Sequence, residues 1–150
     1  MKPRRSILNY STTISAQKTM GEITEMLAHA RAEAILSEYN NGTLEAVSFR
    51  IKTEFGVMSF RMPANIEGVM IALQRDKAVP YRLRGRDQAA RVAWRIVKDW
   101  LDAQLAMIRV GLVTIDQIFL PFAQDAQGRT VYERMREQRF SSLALADKDK

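Results

Sequence analysis

The chain has 150 residues, 47% of them apolar, no cysteine and a formal charge of +6. That length and apolar content suit one domain able to bury about two thirds of its unfolded surface, and the missing thiols exclude disulfides and thiolate metal sites. The basic start Met1 to Arg5 runs into polar residues instead of an apolar stretch, and Trp100 to Ala123 is interrupted by Asp102, Arg109 and Asp116, so neither a signal peptide nor a membrane span is expected and the predicted address is cytoplasmic.

In chain order, MKPRRS reads as a short basic arm, and Ile7 to Ile14 as a β-strand on its Ile, Leu, Tyr and Thr. Thr19 with Glu22 has capping-box spacing, and Ser15 is an earlier candidate cap, so a long helix is predicted to open here. Met20, Ile23, Leu27, Ala30 and Ala34 form its buried stripe, Met26, Ile35 and Tyr39 widen it, and Asn40, Asn41 and Gly42 close it. Thr43 to Met62 predicts a hairpin turning at Glu54 to Gly56. Val47, Phe49 and Ile51 alternate with Ser48, Arg50 and Lys52, then Met58, Phe60 and Met62 with Val57, Ser59 and Arg61. One face is core, which leaves Arg50, Lys52 and Arg61 on the other. Pro63 stops the ladder, and Asn65 caps a short amphipathic helix striped by Ile66, Val69, Met70 and Leu73. Ala78 to Arg86 contains Pro80, Gly85 and three arginines without periodicity, and reads as a connector or flexible basic loop.

The most strongly periodic run is Asp87 to Gly111. Apolar residues recur at Ala89, Val92, Ala93, Ile96, Trp100, Ala103 and Met107, beside a second row of Ala90, Trp94, Val97, Leu101, Leu105 and Ile108, so a helix buried on two sides is expected. Asp87 is its predicted N-cap, Gly111 its C-terminal closure, and Arg109 suits the negative end of its dipole. The remaining strip carries Arg91, Arg95, Lys98 and Asp102. Thr114 with Gln117 repeats the box spacing ahead of a brief helix that Pro121 ends or bends, Asp125 to Gly128 is a turn, and Thr130 with Glu133 opens a last charged helical segment, Tyr132 to Gln138. ALADKDK is read as a solvated tail. The expected fold is α+β: a small, mainly antiparallel sheet packed under two long helices in the order strand, helix, hairpin, helix, helix, with one face partly open and short C-terminal helices. One domain is expected over 1–140, followed by a tail over 141–150.

At YSTTI (Tyr10 to Ile14), QAARVAWRIVKDWLDAQLAMI (Gln88 to Ile108) and IFLPFA (Ile118 to Ala123) the chain resembles small uncharacterised proteins encoded by bacteriophages and integrated mobile elements. The resemblance spans most of the chain and implies a context, replication, recombination or interference with host defence, in which nucleic acid is at hand. It carries no functional residues.

Charge placement says more than its total. Between Gln74 and Lys98 stand eight cations (Arg75, Lys77, Arg82, Arg84, Arg86, Arg91, Arg95, Lys98) and two anions (Asp76, Asp87), so the rest of the chain is about neutral. The leading expectation is therefore a non-enzymatic protein that binds single-stranded DNA or RNA without sequence preference. Phosphate contacts are expected from Arg82, Arg84 and Arg86 in the loop, Arg91, Arg95 and Lys98 on the helix, and Arg50, Lys52 and Arg61 on the sheet. Tyr81 and Phe55 stand beside cations where they can stack on bases, although packing explains most such aromatics. Against each cation stands a plainer reading, a solvated charged surface. Trp94 and Trp100, six residues apart, cannot form one stacking platform and are expected in the core.

Other chemistry has little to stand on. His29 with Glu25, Glu33 and Glu22 permits a chelate on paper, yet a surface helix with ion pairs accounts for them better, and Asp99 and Asp102 read as partners of Arg95 and Lys98. No nucleophile elbow, phosphate loop, zinc-finger or RNP1 pattern occurs, so no cofactor or metal is expected. The alternative is an interaction module, an inhibitor or adaptor, whose apolar surface at Ile118, Phe119, Leu120 and Phe122 docks on a protein partner or a second copy.

Overall fold

The computed structural model describes residues 5–145, so four residues of the basic arm and residues 146–150 of the tail lie outside the described residues. Ile7 to Ile14 forms turns, not the expected strand: Asn9 sits at φ 64°, and the amides of Tyr10 and Thr12 donate back to the carbonyls of Ile7 and Asn9. β-propensity measures fit to a pleated, half-buried surface, and here no neighbouring strand supplies one. Ile7 and Tyr10 instead pack singly against the core.

Helix α1 (Ala16–His29) is capped by Ser15, whose hydroxyl accepts from the Lys18 amide at 3.1 Å, so the earlier of the two candidate caps is used. Thr19 is instead buried within the helix, on the stripe with Met20, Ile23 and Leu27. The helix stops ten residues sooner than expected. Arg31 takes a left-handed φ of 71° and Ala32 donates to Leu27 at 3.0 Å, which closes the last turn. Residues expected to continue it form strand β1 (Ala34–Asn40), which pairs antiparallel with β2 (Thr43–Thr53), itself paired antiparallel with β3 (Gly56–Pro63) in the order β1-β2-β3. Asn41 and Gly42, expected to end a helix, make the β1–β2 turn at φ 49° and 80°, as a two-residue type I′ connection requires. The first strand thus follows the first helix, and the sheet is a three-stranded meander.

One sheet face carries Val47, Phe49, Ile51, Phe60 and Met62 into the core. There Phe49, Phe60 and Phe119 meet with ring centroids 5.3 to 5.6 Å apart, and Trp100 meets Phe119 edge-on at 5.8 Å. The other face carries Leu36, Glu38, Ser48, Arg50, Ser59 and Arg61 around an open concavity of about 610 Å³. Helix α2 (Ile66–Arg75), capped by Asn65, and α1 both pack on the long helix α3 (Arg86–Arg109). Trp94 of α3 is wholly buried, and its indole N–H donates to the Leu44 carbonyl at 3.1 Å, which ties α3 to the start of β2. Gly111, at φ 79°, ends α3 as expected. The boxes at Thr114 and Thr130 both form, opening α4 (Ile115–Phe119) and α5 (Val131–Glu137), and a 3-10 turn at Leu120–Phe122 follows α4 around Pro121. Between these helices Ala123 and Gln124 lie along β3, where Gln124 donates to Ser59 at 2.8 Å.

Candidate nucleic-acid interface

The connector before α3 is more ordered than its sequence suggests, and one arginine is the reason. Arg84 reaches back to donate from Nε to the Val79 carbonyl at 2.9 Å and from Nη2 to the Asp76 carbonyl at 3.2 Å. It pins a 3-10 turn at Tyr81–Leu83 against the end of α2. The Asp76 carboxyl is held below its ordinary range, chiefly by a hydrogen bond from the Ser6 side chain, then by the Ala78 amide, with Arg84 close by. Arg84 is thus engaged inside the protein.

Gly85, not Asp87, is the N-cap of α3, and it brings no side chain to the free amides of the first turn. Around that turn Arg82, Arg86 and Arg91 rim a concavity of about 450 Å³, together with Leu83, Gly85, Asp87 and Gln88. Aligned peptide dipoles make a helix start favourable for anions, and three guanidinium groups reinforce it against the single carboxylate of Asp87. Arg86 also meets Glu67 at 2.9 Å, but both side chains are more than half exposed, so this contact is screened and exchangeable. Tyr81, 87% exposed, lines a neighbouring concavity that shares Arg82 and Gly85 with this one.

Gln88 is a positioning residue that sequence reasoning passed over. Buried at the first turn, it donates its amide to the carbonyls of Tyr10 at 2.9 Å and Thr12 at 3.0 Å, which leaves its oxygen to accept from Arg91 Nη1 at 3.3 Å. The N-terminal turns thereby orient Arg91. Nothing in the sequence marks this beyond a polar residue beginning a row of apolar ones.

The other cations expected here are engaged or distant. Arg95, mostly buried, pairs with Glu22 of α1 and lies 3.5 Å from the Thr19 hydroxyl. Lys98 meets Asp102 at 3.5 Å, and Arg61 is held by Glu38 at 3.0 Å with Ser48 donating to the same carboxylate. Arg50 and Lys52 are exposed on the open sheet face. Arg86 lines one concavity with Thr43, at the opposite end of β2, and nine residues of strand from Thr43 to Lys52 span about 30 Å. The set therefore divides into a group at the α3 start, with Arg82 and Arg86 exposed and Arg91 half-buried, and a separate exposed pair on the sheet.

Asp99 accepts from Asn9 at 2.8 Å while Asp102 faces Lys98, so the two acids serve different contacts. Because α1 ends at His29, Glu33 does not stand one helical turn beyond it, and among the described residues no three His, Asp or Glu side chains group as metal ligands. Of the four apolar residues expected to form a docking surface, Phe119 is in the core, Ile118 and Phe122 are half-buried, and Leu120 is half exposed. A larger apolar groove, about 600 Å³, lies between the ends of α1 and α3, where Met26, Ala30, Leu105 and Ile108 form its floor and His29, Arg31 and Arg109 its rim. Two helix ends far apart in sequence build it, so no local motif announces it.

Among the described residues no helix is long and apolar enough to cross a membrane. No protein-family model matches the sequence, and neither a curated protein nor a solved structure matches it significantly.

Proposed function

We propose that the protein binds the phosphate backbone of single-stranded DNA or RNA at the first turn of α3, without chemistry and without reading base sequence, in a bacteriophage or mobile-element setting. One observation carries this reading: Arg82, Arg86 and Arg91 converge on a helix start that no side chain caps, beside an exposed Tyr81. A phosphate seated there accepts from backbone amides and guanidinium groups together and displaces Glu67 from Arg86. Tyr81 adds stacking on an unpaired base, about 1–3 kcal/mol by comparison with known single-strand grooves. Asp87 opposes the anion and keeps the affinity moderate, which suits a protein that binds many sequences.

Fluorescence anisotropy with labelled single-stranded and duplex DNA and RNA at two ionic strengths tests this. The double reversal Arg82→Glu with Arg91→Glu is expected to weaken binding at least about tenfold and to flatten the salt dependence by roughly two contacts. Arg84 stays untouched in that variant because it holds the turn together. Equal binding by the double variant removes the site from consideration. A second reading rests on the groove between α1 and α3, whose apolar floor and mixed rim of Arg31, Arg109 and Asp102 suit an amphipathic segment of a protein partner. Binding there would respond weakly to salt and not at all to the Arg82 and Arg91 reversals.

A further inference from the structure

The two edges of the sheet are finished differently. Along β3, Phe60 bridges to Ala123, Gln124 donates to Ser59, and Pro63 ends the strand. Along the outer side of β1 no described residue pairs at all. Monomeric proteins blunt such edges with lysine, proline, an outward bulge or a covering segment. The strand AILSEYN has no lysine, arginine, proline or glycine. Its single charge, Glu38, is drawn across its own sheet to Arg61 and Ser48, and its one irregularity inserts the extra residue, Glu45, in β2. Leu36 and Tyr39 are 60% and 56% exposed on this bare strand.

We propose that β1 pairs antiparallel with β1 of a second copy across a two-fold axis through Ser37, joining two three-stranded sheets into one of six. Only this register pairs all seven residues, setting Ala34 opposite Asn40, Leu36 opposite Glu38, and Ile35 opposite Tyr39, a β-branched and aromatic pair of the kind that stabilises cross-strand contacts. Residues directly opposite each other share a face, so both copies place their helices on one side and their open faces on the other. Glu38 faces Leu36 at the seam, and its carboxylate is already paired within its own copy by Arg61, which reaches across the sheet to it; Arg50 stands one strand inward beside Ala34, at the far end of the seam from its symmetry mate. That separation, about 20 Å, exceeds the screening length at physiological salt, so the two Arg50 side chains do not oppose the contact. The occupant is a second copy because this self-pairing sets Ile35 against Tyr39, covers the exposed Leu36 and Tyr39, and places no charge directly opposite its like. The inference is independent of the phosphate reading.

The chain lacks cysteine, so Ser37→Cys introduces a single thiol at the two-fold axis. Opposed Cα atoms in an antiparallel pair stand about 4.5–5.5 Å apart, within the range a disulfide bridges. Sedimentation velocity of the unmodified protein is expected to show a dimer. Under mild oxidant the Ser37→Cys variant is expected to form a covalent dimer about tenfold faster than Gln127→Cys, an exposed loop control. The double variant Leu36→Lys with Tyr39→Lys, at positions exposed in the single chain, is expected to sediment as a monomer that still melts cooperatively, at a temperature that no longer depends on protein concentration. A monomer at the highest soluble concentration overturns the proposal. So does a dimer that survives the double lysine variant, or one in which Cys at 37 links no faster than Cys at 127, since either places the contact on another surface.

Discussion

The first turn and the middle of α3 carry the same residue type to opposite ends. In the middle, Arg95 is mostly buried against Glu22 and closes the seam between α3 and α1, while Lys98 pairs along its own helix with Asp102. Around the first turn, Arg82 in the preceding 3-10 turn has no ion pair with a described residue, Arg86 meets Glu67 only through an exposed, screened contact, and the half-buried Arg91 donates to the neutral Gln88, so these charges are less fully neutralised. Position on the helix therefore decides what an arginine does. A cation flanked by neighbouring helices finds a carboxylate from one of them; a cation beyond the last packed turn finds solvent or a ligand.

The sharpest way to break that contrast is to remove what anchors the middle. Trp94→Ala is expected to cost about 3–5 kcal/mol by denaturant titration, since it empties a wholly buried site and leaves the Leu44 carbonyl without its indole donor. Trp100→Ala should cost less, because that ring is half-buried at the edge of the aromatic cluster. Next comes Arg84→Ala, expected to cost about 1–2 kcal/mol by releasing two backbone carbonyls of the turn before α3. It should weaken ligand binding only through loosening that turn, so Arg84→Lys, which keeps the charge without the fork, should rescue neither property fully. Arg95→Ala and Arg91→Ala form a matched pair. The first should lower stability by about 1 kcal/mol with nucleic-acid affinity unchanged, the second should do the reverse, and equal effects in both assays would erase the distinction.

The smallest expected effect concerns acid. Folding depresses the Asp76 pKa, so its contribution is complete above the ordinary carboxylate range and disappears as the pH falls through the lowered value. Asp76→Asn should therefore melt below the unmodified protein at neutral pH and converge on it in acid, once the pH has fallen through the lowered value. A gap that persists in acid would assign the effect to packing instead of charge.

Much of the fold was legible because its signals are local. Asn65, Thr114 and Thr130 cap their helices as their spacing predicts, Gly111 closes α3, and the alternation from Val47 to Met62 makes the expected hairpin. The misreading of Ala34 to Gly42 has a clear cause. Ile35, Leu36 and Tyr39 fit a helical stripe and a strand equally well over so short a span, and Asn41-Gly42, the strongest short hairpin signal in the chain, was read as a helix stop. The site was half legible. Residue types and the crowding of arginines point to the loop before α3, but the carboxylates that engage Arg95, Arg86 and Arg61 come from Glu22, Glu67 and Glu38, which lie 73, 19 and 23 residues away. No local pattern records such partners. Likewise, Arg84 donates to main-chain carbonyls, which any sequence offers.

The strip of chain at Ala123 and Gln124, laid beside β3, sets a limit on growth. A subunit with two bare flanks can add neighbours indefinitely and lengthen into a fibre, whereas one with a single bare flank is finished after one addition. Stripping that segment away would bare the second flank and open the way to filaments, so Ala123 and Gln124 are the two residues that cap the growth of this sheet.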